Sequence, residues 1–444
     1  MDIELNEHEN NLVNYLSRKG WKIYAVGGSV RDTLMGKPRG DLDIVVEAPR
    51  FKDLIHHLKE RYNVLRDGIP YKEAKVVIGP KQIIDVTVPR GEIYPGPAKE
   101  PVEFEVGNIF KDLSRRDFTI NAMALELNGS QRILMDPFKG SRDIAEGIVR
   151  FVGDPDRRID EDPLRMLRAI RFSSTLGFRI DTDSFKSVCE KVQLLSYVSK
   201  ERVRDEMFKA APAFGKFLEG IISIGASNIV FGIDPVEWEG VKHDSRGHHY
   251  GESLLQHTKD VLENIENEEQ ASGRRVPFEV KLAAIYHDSG KVASMNIIGN
   301  KITFHDHPKF SKEFASPIIR GFHFSKEREN HVIFLIAGHM RFAEANRQRP
   351  STVPRYVVDA RLRHIPLQWM TDLVTLSKAD GHPALSAELI RKLYEVERPK
   401  GNWLMQIPPE RRKDAVRSEW IKVATNSVDS EIAAVKVENN VYNL

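Results

Sequence analysis

Apolar residues change their rhythm along this chain, and the change divides it. From Leu5 to Arg18 they recur at the spacing of one helical face. Trp21 to Val26, WKIYAV, is a short apolar run that stops at Gly27-Gly28, the pattern of a strand entering a tight turn. Ser29 is placed to cap a short helix, VRDTLM, which Gly36 ends. Asp41 to Val46, DLDIVV, is rich in β-branched residues and predicts a strand. Phe51 to Arg61 predicts a helix, and Lys75 to Ile78 and Ile83 to Val88 predict further strands. Strands and helices alternating over short links predict an α/β or α+β domain to about Leu134.

Beyond Asp136-Pro137 the strand signals fade. PLRMLRAIRF, Pro163 to Phe172, predicts an amphipathic helix with Pro in its first turn. Ser199 to Ala210 and Phe214 to Ile222 predict helices, and a Gly/His-rich stretch from His243 to Gly251 marks a boundary. Helical patterns then continue to about Lys392, before a charged tail with Pro408-Pro409. The expected segments are 1–135, 136–240, 241–392 and 393–444.

Composition narrows the function classes. The 444 residues suggest about three domains. With 41% hydrophobic and 29% charged residues this is an ordinary globular chain. A net charge of +2 does not by itself mark a nucleic-acid binder, so such contacts must come from local basic patches. The lone Cys189 excludes an intrachain disulfide and any CxxC zinc pattern, which fits a reducing, cytoplasmic setting. The acidic N-terminus has no apolar signal core, and no stretch approaches the roughly 20 apolar residues of a membrane helix. No membrane partner is expected.

The first chemical constellation is Gly27-Gly28-Ser29-Val30-Arg31-Asp32 followed by Asp41-Leu42-Asp43. Residues two apart in a strand share a face, so Asp41 and Asp43 should converge while Leu42 faces the core. Two such carboxylates suit two magnesium ions that clamp the attacking and leaving oxygens of a phosphoryl transfer. A Gly-Gly turn opening a helix brings backbone N–H groups to phosphates, and Arg31 can add a bidentate charge. A lone DxD is usually a solvated strand edge and a lone GG usually a turn. The two together, in strand–turn–helix–strand context, favour a site. Asp85, in the apolar run IIDVTV, is a third acid for the metal site or a hydrogen-bonded core Asp. Ser114-Arg115-Arg116-Asp117, with Asn121 after it, offers guanidinium groups to phosphates and an amide to a sugar or phosphate. Alone, RRD is more often a surface charge cluster.

These motifs carry a resemblance. GGSVRD, DLDIVV, PRGEIY, DLSRRDFTINAMAL, DPFKGSRDI and DEDPLRMLRAIRF fall in the order seen in class II CCA-adding tRNA nucleotidyltransferases, which share their head with bacterial poly(A) polymerases. The resemblance covers about the first half of the chain. It implies an α+β fold: a polymerase β-type nucleotidyltransferase head with a mixed sheet, then helical neck, body and tail. It implies template-independent addition of CCA to the 3′ end of a tRNA, held by acceptor arm and elbow, from CTP and ATP. It assigns magnesium to Asp41 and Asp43 and nucleotide contacts to Gly28, Arg31 and Arg116. It assigns base selection to Asp162 and Arg165, with Arg168 and Arg171 nearby. Asp162 and Arg165, three apart on one helix, would share a face. A carboxylate and a guanidinium can accept and donate to the Watson–Crick edges of C and A but not of U and G; the bland alternative is an intrahelical salt bridge. A poly(A) polymerase, a CC-only or A-only enzyme, and an inactive RNA-binding relative are the competing readings.

Of 15 histidines, 11 lie between His248 and His382. His257, His287-Asp288 in LAAIYHDSGK, and Asp380 form a series that resembles the HD superfamily of metal-dependent phosphohydrolases. That resemblance makes His257, His287, Asp288 and Asp380 metal ligands, with His307 (or His305) and His339 available to a second metal or to substrate phosphate. Imidazole with carboxylate suits Ni, Mn or Fe, with Mg also open, and a metal-activated water would hydrolyse a phosphoester. The sequence leaves the oligomeric state open.

Overall fold

The computed structural model describes residues 3–68, 73–93, 103–128, 132–242, 251–299, 301–342, 351–382, 386–401 and 406–441. The Gly/His-rich stretch at 243–250 lies outside the described residues. Packing divides the chain into two compact units, Met1–Glu206 with Ser223–Ile229, and Met207–Ile222 with Val230–Leu444. The segment expected at 136–240 is thus shared between them.

The first unit begins with α1 (Glu7–Ser17), started by a capping box in which Asn6 and Glu9 exchange bonds with each other's backbone N–H. Then follow β1 (Ile23–Val26), α2 (Gly28–Leu34), β2 (Asp43–Val46), α3 (Phe51–Arg61), β3 (Asn63–Gly68), β4 (Glu73–Gly79) and β5 (Gln82–Thr87). A small pair, β6 (Arg90–Ile93) and β7 (Glu103–Val106), precedes α4 (Ile109–Ser114), β8 (Ala124–Glu126) and β9 (Leu134–Met135). The main sheet has the order β3-β4-β5-β2-β1-β8-β9. It is mixed, because β2 and β5 run parallel while its other pairs are antiparallel.

Period-two alternation sorts the side chains. Ile23, Ala25, Leu42, Ile44, Val46, Ile84 and Val86 join Leu12, Leu16, Leu54 and Leu58 of α1 and α3 in one core. Tyr24, Val26 and Val45 take the other face, against Ile109 and Leu113 of α4. Asp43 and Asp85 lie on that second face and are direct cross-strand neighbours.

The unit continues through α5 (Gly140–Glu146), β10 (Ile148–Val149), α6 (Pro155–Glu161), α7 (Leu164–Leu176), β11 (Arg179–Ile180), α8 (Thr182–Glu190) and α9 (Lys200–Ala210). Short helices α10 (Phe214–Ser223), α11 (Ser227–Phe231) and α12 (Pro235–Gly240) follow. Among the described residues the rest is helical apart from one hairpin: α13 (Leu254–Ser272), α14 (Phe278–Tyr286), α15 (Lys291–Ser294), β12 (Met295–Ile298), β13 (Lys301–Phe304), α16 (His307–Gly321), α17 (Lys326–Gly338), α18 (Thr352–Leu362), α19 (Leu367–Ala379), α20 (Ala387–Glu395) and α21 (Arg412–Val441). A nucleotidyltransferase head with a mixed sheet followed by a largely helical remainder is the fold class the sequence implied.

Several local expectations change. Ser29 does not cap α2. Gly27, at φ +69°, occupies the cap position, and the Ser29 hydroxyl donates to the Val26 carbonyl. Strand β2 starts at Asp43, so Asp41 and Leu42 precede it. Asp85 is not buried: its side chain is a third exposed and paired with Lys75. The β12–β13 hairpin was not expected, and neither was the long final helix α21.

Candidate functional sites in the two units

In the first unit, a cleft of about 510 Å³ is lined by Gly27, Gly28, Asp43, Asp117, Asn121 and Asp162 together with seven arginines: Arg31, Arg115, Arg116, Arg165, Arg168, Arg171 and Arg202. The arginines are held by carboxylates. Asp112, fully buried in α4, grips Arg115 at 2.6 Å and Arg116 at 3.0 Å, an i,i+3/i,i+4 pairing that a helix provides. Its pKa is lowered: burial pushes it up, and the two guanidinium groups more than offset that. Arg31 pairs with Asp32 at 2.8 Å and donates to the Asn121 amide oxygen at 2.8 Å.

Asp43 carries the opposite imbalance. Burial raises its carboxyl to about 6, the nearby Arg116 lowers it, and the charges of Asp85 and Asp41 raise it again. A buried carboxylate short of positive charge fits a hard cation. Asp41 is exposed and lines a different hollow, of about 960 Å³, bounded by the start of α1, the turn before β2 and the start of β5. That hollow is larger, but only the arginine cleft gathers the cationic charge a triphosphate needs.

Asp162 and Arg165 both line the cleft, but not as one helical face. The residue before a proline is pushed out of the helical region, and Asp162 precedes Pro163. Accordingly α6 ends at Glu161, Asp162 is extended at φ −152° and ψ 100°, and α7 starts at Leu164. Asp162 accepts from the Leu164 N–H at 3.1 Å and from Arg202 at 2.7 Å. Arg165 is buried and pairs with Glu161 at 2.7 Å, donating also to the Arg158 and Arg115 carbonyls. The intrahelical Asp162–Arg165 salt bridge weighed above does not form: Arg165 of α7 pairs instead with Glu161, the last residue of α6, across the break between the two helices. Arg202 went unread because its link to Asp162 spans 40 residues.

In the second unit, His257, His287, Asp288 and Asp380 converge in a buried cluster, and Asp288, His307 and His339 form another that shares the aspartate. Helix ends do the positioning. His287, His339 and Asp380 are the C-caps of α14, α17 and α19, and His307 opens α16. Asp288 faces both clusters: one oxygen lies 3.4 Å from both His257 and His287, the other 3.1 Å from His307 and 3.4 Å from His339. Asp380 reaches His257 at 2.8 Å and His287 at 3.3 Å. Lys291 pairs with Asp288 at 2.5 Å. His305 is exposed and joins neither cluster.

Three of the rings make the same kind of hydrogen bond, each to its own carbonyl. His287, His307 and His339 each set Nδ1 2.8–3.0 Å from the carbonyl oxygen three residues earlier. A carbonyl only accepts, so each Nδ1 carries the proton and each neutral ring offers its bare Nε2. Yet the Nε2 atoms of His307 and His339 are 3.0 Å apart, and those of His257 and His287 3.3 Å apart. The bare Nε2 atoms of His307 and His339 face each other and a cation between them would relieve the repulsion, whereas the His257 ring can carry its proton on Nε2 and donate to Asp380 at 2.8 Å. A proton is one solution: burial disfavours charge on His287, but Asp288 and Asp380 overcome it and push the ring up to about 10. A metal ion is the other, and the nitrogen and oxygen donor set suits a divalent transition metal.

Comparison with known proteins places the first unit. Residues 23–150 match the poly A polymerase head domain family, and residues 177–210 match the family described as "Probable RNA and SrmB- binding site of polymerase A". The CCA-adding enzyme of Bacillus licheniformis is 36% identical over 233 residues, covering 50% of this chain and 55% of that enzyme. Over its first half the chain is thus similar to CCA-adding enzymes. The counterpart from Leuconostoc mesenteroides is 38% identical over 202 residues, 45% of this chain and 48% of that enzyme. The chain thus spans about half the length of these relatives. In fold the likeness is longer. The Bacillus stearothermophilus CCA-adding enzyme in complex with CTP aligns over 99% of both chains, with TM-score 0.62 and 21% identity. The Thermotoga maritima CCA-adding enzyme complexed with tRNA aligns over 96% of each, with TM-score 0.55 and 20% identity. No helix among the described residues is long and apolar enough to cross a membrane.

Proposed function

We propose that this protein adds CCA to the 3′ end of tRNA from CTP and ATP, without a nucleic-acid template. One observation carries the reading: an arginine-lined cleft built on the Gly27-Gly28 turn has at its wall a carboxylate, Asp43, whose charge its protein neighbours leave under-compensated. Relatives that carry the same head are CCA-adding enzymes, one solved with CTP and one with tRNA. Asp41 and Asp43 would hold magnesium, with Asp85, neutralised by Lys75, beside them as a lesser contributor. When bound, such ions activate the RNA 3′-hydroxyl and neutralise charge on the leaving pyrophosphate. The protein's own part is positioning. Gly28 lets backbone N–H groups approach the phosphates, Arg31 and Arg116 take their charge, and Asp162, Arg165, Arg168 and Arg171 frame the base and sugar. Asp162 must exchange its Arg202 contact for a base amino group. The test supplies tRNA lacking its 3′ end with CTP alone, ATP alone, or both. Two C and then one A, and no more, supports this reading. A long A tail supports a poly(A) polymerase, partial addition a CC-only or A-only enzyme, and no incorporation with metal present overturns it.

The second unit supports a second activity. His257, His287, Asp288 and Asp380 would hold one divalent metal, and Asp288, His307 and His339 a second, with Asp288 between them. The reading is an HD-type phosphohydrolase acting on a phosphoester, and what favours it is the pair of buried His/Asp clusters sharing Asp288, with the bare Nε2 atoms of His307 and His339 facing each other in one of them. Ni, Mn, Fe and Mg are the ions to compare.

A further inference from the structure

One carboxylate of the cleft has a place that the transfer reading does not use. Asp117, in the turn after α4, is buried and accepts four hydrogen bonds. One oxygen takes the Phe118 N–H at 2.8 Å and the Asn121 amide nitrogen at 3.2 Å. The other takes Arg168 of α7, from Nε at 2.7 Å and Nη2 at 2.5 Å. Two charged groups thereby fix the Asn121 amide. Its nitrogen faces the Asp117 carboxylate, and its oxygen faces Arg31 at 2.8 Å. Turning the amide over would set N–H against a guanidinium and oxygen against a carboxylate, so this orientation is the only satisfied one. Beyond Arg168, Glu206 sits 3.6 Å from that guanidinium and 2.6 Å from Arg171. The guanidinium groups of Arg31, Arg168 and Arg171 all lie over the ring of Phe172, at 5.2, 5.7 and 3.9 Å.

We propose that Asp117, through Asn121, is a positioning residue that couples the phosphate seat at Arg31 to the base-reading helix α7. The inference rests on the nucleotidyl-transfer reading above. A triphosphate that draws the Arg31 guanidinium toward itself changes what the Asn121 oxygen accepts from, and Asn121 shares an Asp117 oxygen with the main chain. The other Asp117 oxygen sets the angle of Arg168. Buried polar networks respond as units, because every unmatched group in them is expensive. Arg31 therefore informs α7 that a triphosphate is in place, and base selection is enforced only when it is.

The alternative is a structural staple, in which Asp117 only ties its turn to α7. The two differ in one readout. Arg31 touches phosphates rather than the base, so any effect of Arg31 on base choice must travel through the protein. The experiment measures the ratio of kcat/KM for CTP over UTP on tRNA lacking its 3′ end, in the full-length wild-type protein, Arg31→Gln, Asp117→Asn and Arg31→Gln/Asp117→Asn. Coupling predicts a fall in the ratio of about ten-fold, within the five- to 150-fold range of coupled sites, in each single variant. It also predicts no further fall in the double variant. A ratio that stays at the wild-type value in Asp117→Asn, with both nucleotides slowed alike, overturns the proposal, as do independent effects that multiply. If Asp117→Asn does not fold, Asn121→Ser replaces it in the same cycle with the same expected result. A wild-type protein that fails to incorporate CTP counts against the transfer reading instead, so the two failures are distinct.

Discussion

Asp43 and Asp117 lie in the same cleft and are shifted in opposite directions, and the difference is what each faces. Asp43, only partly buried, is raised to about 6 by burial and by the charges of Asp85 and Asp41, against the pull of Arg116; Asp117 is more deeply buried but meets Arg168, Arg165 and Asn121 and is lowered to about 2. The sign of the second shift sets a stability prediction. A carboxyl whose folded value lies below its unfolded value of 3.8 stabilises the fold above that value and loses the contribution as pH falls toward 2. A depression of about 2 units corresponds to about 2–3 kcal/mol. Asp117→Asn should therefore flatten the acid limb of stability: between pH 5 and pH 3 the wild type should lose more denaturation midpoint than the variant. Equal losses would show that Asp117 is not an ion pair in solution. For Asp41 and Asp43, the proposed magnesium ligands, the expected outcome is catalytic. Asp41→Ala and Asp43→Ala should each reduce CTP incorporation by at least about a thousandfold, the scale of losing charge stabilisation in a transition state. Their circular dichroism should stay unchanged. Asp85→Asn should reduce it far less, because Lys75 already occupies that carboxylate.

At the scale of elements, the sequence was informative where a pattern is local. The helix from Phe51 to Arg61, the strand β4, the helix α7 and the end of α14 at His287 follow from spacing and from residues such as Pro and Gly. The small strands β6 to β11 were not legible, because two to four residues carry too little period to read. For the sites, residue types were legible and partners were not: that Arg165 pairs with Glu161, or Asp162 with Arg202, is decided by where α6 stops and where α9 comes to lie. Glycine spacing shows the same limit. HDSGK adds to the metal-site reading, but only the structure shows why Gly290 is there. A Cβ at that position would stand 2.2 Å from the His307 carbonyl oxygen and 2.3 Å from the Ser311 N. Both are backbone atoms at the start of α16, so no side chain can yield. Gly290→Ala should push α16 away and carry His307 with it, destabilising the second unit by about 3 kcal/mol or more, the range of severe core strain. Calorimetry measures the loss. Metal titration of the folded fraction should show the Asp288–His307–His339 cluster weakened more than the His257–His287–Asp380 cluster. An undisturbed melting temperature would mean that α16 docks differently.

At the scale of the whole molecule, each unit brings together its own set of acidic and basic groups, and no residue serves in both. The carboxylates and arginines of the first site all fall within Met1–Glu206, and the histidine cluster falls wholly within the second unit. If each set carries the chemistry proposed for it, the two activities should separate in variants. Removing Asp288 deletes the group shared by both histidine clusters, so His287→Ala/Asp288→Ala should abolish phosphoester hydrolysis and transition-metal binding. CTP incorporation by the same protein should stay within about two-fold of wild type, as expected for sites that share no partners. Conversely, Asp43→Ala should stop incorporation and leave hydrolysis and metal content intact. The metal preferences should separate as well. Under this reading, oxygen-only ligation by Asp41 and Asp43 would favour magnesium, whereas paired imidazoles would favour later transition metals. Treating the wild-type protein with a chelator selective for transition metals should therefore remove hydrolysis first while magnesium-supported CTP incorporation persists. If incorporation fell in step with hydrolysis, or if the histidine variant lost both activities while still folded, the two sites would have to depend on each other. Their independence as separate catalysts would then be refuted.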